Sequence, residues 1–181
     1  MRKVVIISSP SGCGKDTIVS KLLKEIPKSR RIITSTTRKP RLNEIDRKSY
    51  YFITRDKFLS LIQENEFLEW QDVHGELYGT TRSEFSNESE ISFVILDVLG
   101  AMRIKKLLPN TPTLIFLKPP SREELANRLR KRSSETNSEI EKRLERYDME
   151  LHMSNLFDYS IVNSDIQETT DTIKEIIENI K

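Results

Sequence analysis

Four consecutive apolar residues, Val4-Val5-Ile6-Ile7, lead directly into a short glycine-containing loop and then into a helix-forming stretch. No other feature limits the fold of this chain as much. A run made wholly of β-branched residues reads as a parallel strand buried on both faces. Ser8-Ser9-Pro10-Ser11-Gly12-Cys13-Gly14 is the turn. From Lys15 onward Ile18, Val19, Leu22, Leu23 and Ile26 recur at helical spacing, and Pro27 stops the helix. A strand over Arg31-Ile32-Ile33 is expected next. The same rhythm returns later. Ile91-Ser92-Phe93-Val94-Ile95-Leu96-Asp97 predicts a strand, 102–108 a helix and Thr113-Leu114-Ile115-Phe116-Leu117 a strand. Pro119-Pro120 breaks that strand, and Ser121 with Glu124 forms a capping box for a helix striped by Leu125 and Leu129. Tyr159-Ser160-Ile161-Val162 predicts a last strand. Ile166, Ile173, Ile176, Ile177 and Ile180 predict an amphipathic C-terminal helix. Strands alternating with helices make this an α/β protein, a parallel-sheet core covered by helices. Such sheets bind ligands beyond the carboxyl ends of their strands.

Two stretches interrupt the rhythm. Residues 34–85 hold Tyr50, Tyr51, Phe52, Phe58, Phe67, Trp70 and Tyr78, and read as a small α+β insert with strands near 50–53, 67–73 and 77–79 around a helix at 56–63. Residues 128–146 are densely charged and poor in apolar side chains, which predicts a solvated helical hairpin. The expected organisation is core over 1–33, insert over 34–85, core over 86–127, lid over 128–150 and core over 151–181. A length of 181 residues suits one such core with small inserts. Lys plus Arg number 30 and Asp plus Glu 28, a net charge of +2, so the overall balance gives no reason to expect a nucleic-acid or membrane binder. No apolar run approaches the roughly 20 residues of a spanning helix, and Val4 to Ile7 is too short for a signal-peptide core. The single cysteine, Cys13, excludes an intrachain disulfide and a multi-cysteine zinc site, and fits a reducing compartment, the cytoplasm.

The loop Ser11-Gly12-Cys13-Gly14-Lys15-Asp16-Thr17 stands between strand and helix, the context a phosphate-binding loop requires. Gly12 and Gly14 let backbone N–H groups turn toward one point. The helix N-terminus adds positive dipole there, and Lys15 can set an ammonium against β- and γ-phosphates. The loop departs from G-x-x-x-x-G-K-S/T twice: Ser9 stands at the first glycine, and Asp16 stands where a magnesium-binding hydroxyl usually follows the lysine. Asp16 either touches Mg2+, directly or through water, or turns away as a helix-start residue. Thr17 is a candidate phosphate or metal contact. Cys13 reads as a small loop side chain, since no histidine is placed to activate it.

Thr34-Ser35-Thr36-Thr37-Arg38-Lys39-Pro40-Arg41 offers hydroxyls and two arginines three apart, and guanidinium forks suit phosphate oxygens. Tyr50-Tyr51-Phe52, Phe67-Leu68-Glu69-Trp70 and His74-Gly75-Glu76-Leu77-Tyr78-Gly79-Thr80 follow. Together these segments resemble the guanylate kinase family, whose patterns are T-T-R-x-P-R, F-x-E-W and H-G-x-x-Y-G-S/T, and the likeness runs over nearly the whole chain. The resemblance implies a phosphate-loop kinase acting on ATP and GMP or dGMP with Mg2+, as a monomer or homodimer. It implies that Arg38, Arg41, Tyr50 and Tyr78, helped by Thr34, hold the GMP phosphate. Glu69 and Thr80 would read guanine: a carboxylate accepts from N1–H and the N2 amino group, and a hydroxyl donates to O6. It implies a lid in which Arg132 and Arg143 close on the transferring phosphoryl group beside Lys15 and Arg38. Arg128 is a supporting contact or a surface residue, His74 is structural or a minor contact, and Asn163 is placed against adenine.

The chain departs from the family at Leu96-Asp97-Val98-Leu99-Gly100-Ala101, where the usual pattern is D-x-D-x-x-G. Asp97, a candidate metal ligand, matches the first Asp, Leu99 falls at the second, and the segment is two residues short. Ser133 replaces the usual lid glycine, and Pro40-Arg41-Leu42-Asn43 lacks the usual glycine before Glu44. Two other readings compete. One is a related phosphate-loop kinase acting on another nucleoside monophosphate or on ribose 1,5-bisphosphate: Gly14-Lys15-Asp16 also resembles the loop of ribose 1,5-bisphosphate phosphokinases, whose sugar substrate has no use for Glu69, Tyr78 and Thr80. A non-catalytic guanylate-kinase-like interaction domain would have little use for Lys15 and the arginines.

Overall fold

A computed structural model describes residues 3–42, 44–73, 75–86, 89–108, 112–131 and 137–180. The core elements are β1 (Lys3–Ser8), α1 (Lys15–Glu25) and β2 (Ser29–Arg31). The insert comprises β3 (Ser35–Thr36), β4 (Tyr51–Phe52), α2 (Arg55–Gln63), β5 (Phe67–Val73), β6 (Glu76–Thr81) and α3 (Arg82–Ser86). The chain then returns through β7 (Ile91–Ile95), α4 (Val98–Leu107), β8 (Pro112–Lys118), α5 (Arg122–Lys131), α6 (Asn137–Met153), β9 (Tyr159–Val162) and α7 (Ile166–Asn179). Five strands form a parallel sheet in the order β2-β7-β1-β8-β9.

The period-two alternation of a strand sorts the core into two layers. Val4, Ile6, Val94, Leu114 and Phe116 face Val98, Ala101 and Ile104 of α4. Val5, Ile7, Phe93, Ile95, Ile115 and Leu117 face Ile18, Val19 and Leu22 of α1 and Ile173 and Ile177 of α7. The insert builds a four-stranded mixed sheet in the order β4-β3-β6-β5. Its own small core stacks Phe58 of α2 on Phe67 of β5, with ring centroids 4.3 Å apart, beside Leu77.

Five expectations are corrected. The strand expected at 31–33 lies at Ser29–Arg31. Ile32 still donates to the Phe93 carbonyl, but the Ile33 N–H is captured by the Glu84 carboxylate and leaves the ladder. The helix expected from 102 begins at Val98, because Asp97 caps it by accepting from the Gly100 N–H at 2.8 Å. Ser121 accepts from the Glu124 N–H as a cap should, but the Glu124 carboxylate turns to Arg128, so only half of a capping box forms. Residues 128–146 are not simply a solvated hairpin. Leu129, Ile140 and Leu144, with Leu125, Ala126 and Tyr147, form a third apolar cluster that closes on Cys13. In the last helix Ile166 is exposed, and Thr169 and Thr170 are buried in its place.

Candidate functional site

The loop after β1 lies at the carboxyl edge of the sheet. Gly12 and Gly14 have φ of 97° and 83°, left-handed backbone that glycine adopts without strain. Space is short as well. A Cβ on Gly12 would lie 3.2 Å from both Leu125 and Leu129, and one on Gly14 would lie 3.3 Å from Asn163 Nδ2. Lys15 Nζ donates to the Ser9 carbonyl at 2.7 Å and to Ser9 Oγ at 3.0 Å. Burial holds this ammonium below the usual lysine range, against the pull of Cys13 and of nearby Glu150, Asp16 and Asp97. The Cys13 side chain is buried in the α5–α6 cluster, and burial pushes its thiol up. Ser11 Oγ accepts from Arg143 Nη1 of α6. Asp16 is 64% exposed and pairs with Arg31 at 2.9 Å, and Thr17 is also exposed in the first turn of α1.

A second cationic site faces the loop. Arg38 Nε donates to Tyr78 Oη at 3.1 Å, and its guanidinium carbon lies 5.6 Å from the centre of the Tyr50 ring. Its two terminal nitrogens form a fork on Glu44 at 2.9 and 2.8 Å, and the same carboxylate accepts from the Arg41 N–H. Although burial works against both charges, the pairing holds Arg38 above its usual range and Glu44 below the usual carboxylate range. Burial pushes the Tyr50 phenol up to about 12, so it is a hydroxyl donor at neutral pH. The phosphate loop, Arg38, Arg41, Tyr50, Tyr78, Arg143 and Arg146 line one cavity of about 300 Å³.

A smaller cavity of about 150 Å³ lies beside it. Thr34, Glu69, Gln71, Gly79, Leu96 and Asp97 contribute to its walls, and Lys15, Tyr50, Val73, Tyr78 and Asp97 border both spaces. Glu69 and Thr80 stand opposite each other on β5 and β6. Thr80 Oγ1 donates to Glu69 Oε1 at 2.7 Å, and Glu69 is 5% exposed. Burial, with Asp97 adding to it, pushes Glu69 up to about 7 although Thr80 pulls the other way.

The expected site residues thus meet around two adjoining cavities, with corrections. Thr34 lines the smaller cavity rather than the phosphate side. The Thr80 hydroxyl donates to Glu69, so here it orients the carboxylate. Asn163 lines neither of these two cavities. It is 4% exposed, donates from Nδ2 to the Cys13 carbonyl at 2.7 Å and accepts from Thr169 Oγ1 at 3.0 Å, a strut beneath the loop. Asp97 lies beside the smaller cavity itself, while Leu99 is 43% exposed. Both Asp97 oxygens are engaged, Oδ1 by the Gly100 N–H and the Gln71 amide and Oδ2 by Arg146. Asp97 as it stands is therefore no free metal ligand. Arg128 pairs with Glu124 one turn earlier on α5. Arg132, Ser133, His74 and Asn43 lie outside the described residues. Among the described residues no group of three or more His, Cys, Asp or Glu side chains converges as a metal cage. No helix of the described residues is long and apolar enough to cross a membrane.

Sequence reasoning gave no role to Glu44, Gln71, Arg146 or Glu150. The Arg146–Glu150 spacing of four on one helix was the one legible signal.

Comparison with known proteins decides the family. The guanylate kinase family model matches residues 1–180. The chain belongs to the guanylate kinase family. Among curated relatives, a guanylate kinase of Prochlorococcus marinus subsp. pastoris is 40% identical over 184 residues, covering 100% of this chain and 98% of that protein. One of Thermotoga maritima is 37% identical, covering 97% of this chain and 86% of its own length. Among solved structures, the guanylate kinase of Anaplasma phagocytophilum superposes with a TM-score of 0.83 at 31% identity, over 99% of this chain and 87% of that one. A shikimate kinase of Bacteroides thetaiotaomicron, at 11% identity and a TM-score of 0.57, shares the fold alone. The α/β architecture and the reading of the chain as a guanylate kinase family enzyme are therefore correct.

Proposed function

We propose that the chain transfers the γ-phosphoryl group of ATP to the phosphate of GMP or dGMP, giving ADP and GDP or dGDP. One observation carries this reading: the phosphate-loop cavity opens beside a second cation–tyrosine site, and a buried carboxylate lies in the adjoining smaller cavity. An oxygen of the acceptor phosphate forms the new bond to the γ-phosphorus. The bond from that phosphorus to the β,γ-bridging oxygen breaks, and ADP leaves with the electron pair. The acceptor oxygen is already anionic, so no covalent enzyme intermediate is required. The work is alignment and charge neutralisation. Lys15 and Arg143 serve the donor side. Arg38, Arg41, Tyr50 and Tyr78 hold the acceptor phosphate. Arg132 is the second arginine of the lid, and residues 34–85 and 128–150 are the parts that close over the ligands. Glu69 accepts from guanine N1–H and the N2 amino group, and Thr80 keeps its oxygen aimed.

The donor set also fits Mg2+. This ion keeps most of its ligands as water and substrate phosphate oxygens and needs only one or two from protein. Asp16 and Thr17, exposed at the loop, are the residues that would sit beside it. When bound, the ion would supply positive charge that neutralises the phosphates of ATP.

The test is coupled ADP release from MgATP with GMP, dGMP, AMP, UMP and ribose 1,5-bisphosphate. GMP and dGMP are expected to give turnover at least ~100-fold above AMP, because a buried carboxylate finds no donor at adenine N1. A preference for the sugar bisphosphate, or no ADP with either guanine nucleotide, would overturn the reading.

A further inference from the structure

Arg146 has no part in the reaction as read above, yet it lines the phosphate cavity one turn beyond Arg143 on α6. Its Nη2 donates to Asp97 Oδ2 at 2.7 Å and its Nε to Glu150 Oε1 at 2.8 Å. Glu150 is buried, and burial holds its carboxyl above the usual range despite Arg146 and Lys15. Asp97 meanwhile takes donors from three elements: Gly100 of α4, Gln71 of β5 and Arg146 of α6. It borders both cavities. It also stands close to the base reader, since a Cβ on Gly100 would lie 3.2 Å from Glu69 Oε2 and 3.3 Å from Asp97 Oδ1. Five carboxylates, Asp16, Glu69, Glu76, Asp97 and Glu150, thus border a space that has to admit polyanions. One guanidinium answers two of them.

We infer that Arg146 is a positioning residue for acceptor binding, which fixes Asp97 at the junction of the two cavities and so ties the lid helix α6 to base recognition. The inference rests on the GMP kinase reading. A planar fork suits the task, because its separate N–H groups reach two acids at once. A lysine is a point charge and can satisfy one of them. Without the guanidinium, Asp97 keeps its two Oδ1 donors but its Oδ2 is left unpaired at the junction of the two cavities, where its uncompensated charge opposes the acceptor phosphate. The effect falls on acceptor binding more than on the chemical step, because Arg146 donates to carboxylates and not to the transferring group.

The test measures kcat, KM for GMP and KM for ATP in wild type, Arg146→Gln, Arg146→Lys, Asp97→Asn and the Asp97→Asn/Arg146→Gln double variant. Arg146→Gln is expected to raise KM for GMP ~10-fold with kcat and KM for ATP within threefold, and Arg146→Lys to fall between it and wild type. In the Asp97→Asn background the same change is expected to move KM for GMP less than ~3-fold, since the charge through which Arg146 acts is gone. A purely structural role would lower thermal stability without moving KM, and its cost would add to that of Asp97→Asn. Either result, or a fall in kcat alone, overturns the inference. If Arg146→Gln does not fold, Arg146→Lys decides: a wild-type KM for GMP refutes it, and a rise of about 3-fold or more with kcat retained supports it. Wild type that makes no ADP with GMP fails the functional reading itself, whereas active wild type with unchanged variants fails only this inference.

Discussion

Glu69 is a carboxylate almost shut off from water, 5% exposed, with a pKa pushed up to about 7. The proposed guanine recognition requires its ionised form, because only a carboxylate can accept from N1–H and N2–H together without offering a competing donor. About nine tenths of such a group is neutral at pH 6, so KM for GMP is expected roughly tenfold higher at pH 6 than at pH 8. The phosphate of GMP also titrates near pH ~6, so the comparison needs Glu69→Gln, in which this part of the pH dependence is expected to vanish while KM rises ~30- to 100-fold. A KM in wild type and variant that changes identically with pH refutes the assignment. The stability sign is opposite to the functional one. The folded pKa lies above the unfolded value, so the native state binds more protons between about 4.5 and about 7 and stability falls as pH rises through that window. Glu69→Gln is therefore expected to melt above wild type at pH 8. Glu69, Lys15 and Arg38 were legible in the sequence because each sits in a local motif. Glu44 and Gln71 were not, since Glu44 gains meaning only when the loop folds back onto Arg38, and Gln71 only when β5 passes Asp97.

Among the secondary-structure elements, the phosphate loop depends on parts of the chain far from it in sequence. Asn163, at the end of β9, donates to the Cys13 carbonyl and accepts from Thr169 of α7, while Leu125 and Leu129 of α5 press on Gly12. Asn163→Ala removes both hydrogen bonds and leaves a buried carbonyl and hydroxyl unpaired. It is expected to cost about 2–4 kcal/mol in urea unfolding and to raise KM for ATP several-fold more than KM for GMP. Asn163→Asp restores the acceptor for Thr169 but not the donor for Cys13, and is expected to recover little ATP affinity. A stable variant with unaltered KM for ATP would mean that the loop holds its shape without the strut. The elements that the sequence predicted well are those whose own residues decide them: the β-branched strands and the α1 stripe need no outside help. The misplaced ones were decided by distant partners. Glu84 takes the N–H of Ile33 and shortens β2, and the lid cluster becomes visible only when Cys13 meets Leu129 and Leu144.

Across the whole molecule, the near-neutral net charge of +2 hides an uneven layout. Lys15, Arg38, Arg41, Arg143 and Arg146 all border one cavity, contributed by α1, the insert and α6. Three apolar clusters stand behind that cavity: α1 packs on the main sheet, the insert on Phe58, Phe67 and Leu77 with Phe85 reaching the main core, and α5 and α6 on Leu125, Leu129 and Leu144, which close on Cys13. The walls thus come from three separate stretches of the chain. A ligand that spans the cavity should therefore join the walls and stabilise the fold beyond what either half achieves. Adenosine and guanosine joined through five phosphates, at about 100 times its Kd, is expected to add about 2.7 kcal/mol, or roughly 5–10 °C in Tm for a chain of this size. ATP alone or GMP alone at the same concentration should give smaller rises, because each bridges fewer walls. The corresponding diadenosine compound separates charge from base recognition. It presents the same phosphates but an adenine to Glu69, so it should fall well short of the mixed compound. Equal shifts from the two compounds would mean that the phosphates alone join the walls and that the smaller cavity does not select the base. No shift from either would mean that the donor and acceptor sites are not continuous in solution.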